Sequence, residues 1–155
     1  MIDHGLRYFD DYQPGATYDC GSFSVNEAEI ISFAIQFDPQ PFHVDRAAAA
    51  GGPFGGIIAS GWHTAALVMR QLVDYYLPPG ASLGSPGLDE IRWPNPVRPG
   101  DTVRVRATVT EARRSQSKPD RGIMTTQIEA VNQDDRTIMR ATAANFIRVR
   151  PPEAA

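Results

Sequence analysis

Asp38 and His43 stand five positions apart in the stretch FDPQPFHVD, with Pro39 and Pro41 between them. A carboxylate with a reference pKa of about 4 and an imidazole of about 6.5 supply, at neutral pH, a ready base and a proton carrier. Brought onto one water, they could activate it for attack and then return its proton. Each proline fixes its own φ, lacks a backbone donor, and pushes the residue before it toward extended conformations. The spacing therefore predicts a short, rigid, non-regular spacer, with neither helix nor strand running through it. On spacing alone a second reading stays open, in which Asp38 caps a turn and His43 faces solvent.

Gly61, in ASGWH, is the next candidate. A glycine in the first turn of a helix offers unpaired N–H groups at the positive end of the helix dipole. Without a Cβ it also admits a carbonyl oxygen closely, as an oxyanion hole requires. The same glycine fits a plainer use, letting the helix pack tightly. His63, two residues on, fits either the lining of that cavity or a cap on the helix, and His4 falls in the N-terminal stretch. These histidines and the nearby acids show no H-x3-H or HExxH spacing, and Cys20 stands alone, so no metal site and no internal disulfide is expected. No serine sits in a G-x-S-x-G elbow, and GGPFGG lacks the phosphate-loop patterns.

GATYDCGSF suggests a short strand. SVNE, with Ser24 and Glu27, has the form of a capping box and opens a helix that must stop before Pro39; Ala28, Ile31, Ala34 and Ile35 recur at helical spacing in it. DRAAAAGG predicts one or two helical turns closed by Gly51. A second long helix starts at Ser60 as N-cap and ends before Pro78, with Ala65, Ala66, Met69, Leu72, Val73 and Tyr76 as its apolar face. A short strand around LDEIRW follows, with Arg92 and Trp93 as its rim and core.

In TVRVRATVTEAR, Val103, Val105, Ala107 and Val109 alternate with Arg104, Arg106 and Thr108. GIMTTQIEAVNQ and TIMRATAANFIRVR complete an antiparallel hairpin about QDDR. Helices followed by a run of adjacent strands indicate an α+β fold with a mostly antiparallel sheet cradling one helix. An edge strand of so small a sheet calls for a covering subunit, which predicts a homo-oligomer, a dimer first of all.

With 155 residues, 42% hydrophobic and 21% charged, the chain is expected to form one globular domain over residues 1–155. A net charge of -3 with no basic block disfavours nucleic acid and anionic membranes as partners. The N-terminus is acidic and lacks the apolar core of a signal peptide, and no window has the roughly 18 apolar residues that span a bilayer. The expectation is a soluble, cytoplasmic protein.

FDPQPFHVD followed by PFGGIIASGWHTAALVMRQLVD resembles the MaoC-like dehydratase family, relatives of the (R)-specific enoyl-CoA hydratases. That family carries D-x-N-P-x-H-x-D, then an aromatic, then an apolar run into H-G at the head of its central helix. Asp38, Pro41, His43 and Asp45 match position for position, Phe54 and Gly61 match the later part, and PVRPGD resembles the entry into the long strands. The resemblance covers roughly residues 8–150. It implies a hot-dog fold, an antiparallel sheet wrapped around a long central helix, with two subunits joining their sheets.

It also implies reversible hydration of a trans-2-enoyl-CoA to a 3-hydroxyacyl-CoA, with CoA as part of the substrate and no separate cofactor. Asp38 would be the base, His43 the partner that orients water and relays the proton, and Gly61 the oxyanion donor. Phe54, Ser60, Trp62 and His63 would line the acyl-thioester site, with Trp62 limiting chain length. The chain departs from the pattern at Gln40, where asparagine is usual, and at Ser60, which replaces the histidine of H-G. A hot-dog thioesterase and a non-catalytic acyl-thioester binding module are the alternatives.

Overall fold

Alternation of β-branched or small apolar residues with arginine and threonine builds the sheet. In the computed structural model, which describes residues 7–152, this pattern forms five strands: β1 (Thr17–Ser24), β2 (Gly87–Arg92), β3 (Thr102–Arg114), β4 (Arg121–Val131) and β5 (Thr137–Arg148). They lie in the order β1-β3-β4-β5-β2, antiparallel at every pairing. Val103, Val105, Ala107 and Val109 are buried and Arg104 and Arg106 exposed, as the alternation predicts. His4 and the first residues of the N-terminal segment lie outside the described residues. No helix among the described residues is long and apolar enough to cross a membrane.

Among the described residues four α-helices stand with the sheet, α1 (Glu27–Phe37), α2 (Pro41–Val44), α3 (Arg46–Gly51) and α4 (Gly61–Tyr75), with a 3-10 turn at Phe9–Asp11 before β1. The long α4 lies against β1 and β3, so the architecture is the expected α+β hot-dog arrangement. β1 makes room for the helix at a bulge between Asp19 and Ser22. There Gly21 has φ +71, and a Cβ would come within 3.0 Å of the Tyr75 ring.

Two local readings need correction. The capping box of α1 is Asn26 with Glu29, each side chain accepting the other's backbone N–H at 2.9 Å. Ser24 cannot serve, because it is the last residue of β1 and its hydroxyl pairs with that of Thr102. Within α1 the residues taken fully inside are Ile30 and Ala34, while Ile35 is exposed.

The inward face of α4 is His63, Thr64, Val68 and Leu72, running on to Tyr76; Ala66, Met69 and Val73 look outward. Thr64 enters the core because its hydroxyl donates to the Ser60 carbonyl at 3.3 Å, which leaves no polar atom wanting. A helix face chosen by hydrophobicity alone therefore comes out rotated.

Tyrosines hold the far end of α4. The Tyr12 hydroxyl donates to the Tyr76 carbonyl at 2.6 Å, and the Tyr76 hydroxyl meets that of Thr126 on β4 at 2.8 Å. The rings of Tyr12, Tyr18 and Tyr76 pack edge-on or tilted within 5.7 Å of one another. With one end so anchored, the other end of α4 can be placed accurately.

Candidate active site

Asp38 terminates α1. Its N–H donates to the Ala34 carbonyl at 2.9 Å, and its backbone then leaves the helical region at φ -155, ψ 65. Gln40 is extended, as a residue before proline should be. The expected non-regular spacer is then broken by one helical turn, α2, with Pro41 at its first position. Proline is accepted there because the N–H it lacks would have had no intrahelical partner. That turn swings His43 back toward Asp38. Asp45 caps α3, its carboxylate accepting from the Ala47 and Ala48 N–H groups at 2.9 and 3.0 Å.

His43 is buried, and its Nδ1 lies 2.7 Å from the Ile58 carbonyl oxygen. A carbonyl only accepts, so Nδ1 carries the proton and Nε2 of the neutral ring is bare. That bare nitrogen faces the Asp38 Oδ2 at 3.3 Å. Two acceptors so placed repel unless a proton lies between them or a molecule at their side donates a hydrogen to each. The pair can share one proton, or serve a water placed beside both atoms.

The carboxylate has two further partners. The Ser60 hydroxyl donates to Oδ2 at 2.7 Å, and the Gln40 amide donates to Oδ1 at 2.7 Å. The Ser60 bond above all, then that of Gln40, holds the Asp38 carboxyl below the usual carboxylate value, with desolvation opposing and His43 adding to them when its ring is protonated. The two departures from the family's motif are thus the two side chains that grip Asp38.

Ser60 also joins the aspartate to α4. It is fully buried, and its oxygen accepts the Trp62 N–H at 3.2 Å, so it is the N-cap of the helix. Ser60, expected to line the acyl-thioester site, is at 0% exposure here, with both side-chain hydrogen bonds made inside the protein. Gly61 follows as the first residue of α4, where an N–H has no intrahelical acceptor.

The room left by the absent Cβ of Gly61 is filled by Trp93, whose ring atoms would stand 2.8 Å from an added Cβ. Trp93 lies just beyond β2, 37% exposed, and packs edge-on against Trp62 at 5.3 Å. Reading Trp93 as strand core missed this, because a contact between residues 32 positions apart leaves no periodic trace.

Trp62 is 60% exposed. His63 is stacked on Phe33 at 4.5 Å, with Nδ1 buried and unbonded. Burial lowers its pKa, which Glu29 partly offsets. It therefore caps nothing. Phe54 reaches His43 only through Phe42, whose ring meets both at 5.3 and 4.5 Å. Cys20 is buried in the core, which pushes its thiol up to about 11 and removes it as a nucleophile. Among the described residues no three His, Cys, Asp or Glu side chains converge as metal ligands.

Comparison with known proteins gives a consistent grouping. The profile described as "MaoC like domain" matches residues 11–133. The crystal structure of the MaoC-like dehydratase from Rhodospirillum rubrum superimposes with a TM-score of 0.87 at 44% identity, over 95% of this chain and 99% of that one. YdeM of Bacillus subtilis is 28% identical over 140 residues, 90% of this chain and 97% of that protein. A 3-hydroxybutyryl-CoA dehydratase of Methylorubrum extorquens is 35% identical over 107 residues, 68% of this chain and 66% of that enzyme.

Proposed function

The chain belongs to the MaoC-like domain family, and from that premise we propose that it adds water reversibly across the 2,3-double bond of a trans-2-enoyl-CoA. The observation that carries this reading is the bare Nε2 of His43 facing the Asp38 carboxylate at 3.3 Å, beside the start of α4. A water donating one hydrogen to each is oriented with a lone pair free for attack. Its oxygen adds to C3 of the enoyl group and one of its protons passes to Asp38, the base. A proton returns through the Asp38–His43 pair to C2. The negative charge that gathers on the thioester oxygen meets the Gly61 N–H and the positive end of α4. Both hydrogens of the water are thereby accounted for, one on C2 and one in the new hydroxyl.

So written, the reaction calls on no metal or organic cofactor, and CoA enters only as part of the substrate. The cytoplasm, where CoA thioesters are made and used, is the matching compartment.

Enoyl-CoAs of four to twelve carbons, straight and branched, provide the test. Loss of enoyl absorbance without release of free thiol is the expected result. Thiol release at the same rate would assign the site to thioester hydrolysis, and saturable binding with no product would leave it a binding module.

The partner we propose is a second copy of the chain. The sheet ends on one side in β2, paired only with β5, and Leu88 on it is half exposed. On the helices, Phe37, Trp62, Met69 and Val73 are large apolar side chains left exposed. Sedimentation equilibrium at micromolar concentration is expected to give twice the 17.0 kDa of one chain. A monomer mass there would refute the pairing.

A further inference from the structure

We propose that Ser60 is a positioning residue for the hydration chemistry, its hydroxyl tying the Asp38 carboxylate to the first turn of α4 and so setting the base relative to the Gly61 N–H. The inference rests on the reading of Asp38 and Gly61 given above. Its geometric basis is independent of any substrate.

A serine hydroxyl has one proton to give. The Trp62 N–H already donates to Oγ at 3.2 Å, and the ionised carboxylate can only accept, so the Ser60 proton points to Asp38 Oδ2, 2.7 Å away. That oxygen is the one facing Nε2 of His43. One atom, Oδ2, thus receives the hydroxyl from one side and looks onto the imidazole on the other. Gln40 holds Oδ1 from an exposed position and completes the grip. The carboxylate can then neither rotate nor retreat without breaking one of the two bonds.

Ser60 is wholly buried and spends the same oxygen on the helix cap, so any movement of α4 moves the base with it. The base at the end of α1 and the first turn of α4 are joined by a single hydroxyl, and His43 on α2 faces the same carboxylate oxygen.

The groups that face Asp38 are few. His43 on α2 is the charged or titratable one that acts on it, and Ser60 and Gln40 are neutral. His63, on α4, is turned to Phe33 and feels Glu29 instead. Removal of the Ser60 hydroxyl therefore leaves a carboxylate with one fewer donor, and the Asp38 titration moves up.

Carbon-13 NMR of the aspartate carboxyls, with Asp38 assigned by its disappearance in Asp38→Asn, reads this directly in the whole protein without substrate. Ser60→Ala loses both the donor and the cap. Ser60→Gly loses the donor but keeps most of the helix stability, because glycine is nearly as good as serine at an N-cap. Ser60→Thr keeps the hydroxyl. We expect the Asp38 midpoint to rise in the alanine and glycine variants and to return toward wild type with threonine.

With an enoyl-CoA the variants lacking the hydroxyl should lose about tenfold in kcat, the scale of one hydrogen bond to a charged group, with KM changed less than about twofold. An Asp38 midpoint in Ser60→Gly equal to wild type would overturn the assignment and leave Ser60 a helix cap only. Failure of the hydration reading looks different: wild-type protein inert on every enoyl-CoA, with the midpoint shift intact.

Discussion

Asp38→Asn and His43→Ala each lower enoyl-CoA turnover by at least about a hundredfold, the scale on which a positioned general acid or base contributes. Asparagine keeps the shape of the aspartate but has a single acceptor oxygen, so it can accept from Ser60 or from Gln40 and not from both. It cannot take a proton, however, and in one rotamer it turns an amide donor toward the bare Nε2 of His43. A donor there occupies the nitrogen that should bind water. Alanine at 43 removes that nitrogen and leaves the Ile58 carbonyl without the Nδ1–H at 2.7 Å.

Circular dichroism and thermal melting must accompany the rates, because His43 is a buried side chain and its loss opens a cavity beside Phe42. Asp38→Asn carries the decisive comparison, since it leaves the packing nearly unchanged. Retention of more than about half the wild-type rate by both folded variants would remove water activation from this pair.

The second large effect concerns the N–H of Gly61. Proline at that position deletes the donor and suits a first helical residue, and the Ser60 backbone at φ -57, ψ 142 is already where a residue before proline must be. The obstacle is Trp93, whose indole fills the space that any side chain at 61 would enter. Overpacking of that kind costs typically 1–3 kcal/mol and would confuse the result.

Trp93→Ala clears the site, and the useful comparison is Gly61→Pro against Gly61→Ala, both in that background. Alanine retains the N–H and proline does not. We expect the proline variant to fall about 10²–10³-fold below the alanine variant in kcat, the loss found when one oxyanion donor is removed. Equal rates in the two folded double variants would show that the thioester oxygen is held elsewhere. A side result is expected from Gly61→Ala alone, less stable than wild type and restored by Trp93→Ala.

The sequence by itself determined the layout. Strict alternation in residues 102–110 made the strand and named its buried face, because a pleated strand sends successive side chains to opposite sides. Prolines and caps placed the helices, since Ser60 begins α4 and Pro39 ends α1 by local geometry that needs no partner. The pairing of Asp38 with His43 was left open by spacing alone and was legible through the resemblance to the MaoC-like motif.

Tertiary structure decided what surrounds that pair. Gln40 and Ser60 stood out in the sequence only as departures from a motif. The Gln40 amide reaches the carboxylate locally, from two residues away, but the Ser60 hydroxyl ends there only because α4 arrives beside the end of α1, a contact between segments 22 residues apart. Trp93 came to lie over Gly61 for the same kind of reason, through the path of the chain beyond β2. The inward face of α4 was settled by which polar atoms found partners, Thr64 among them, and that depends on neighbours rather than periodicity. Local rules fix the conformation of a few residues at a time; a hydrogen bond between distant segments is set by the packing of the whole fold.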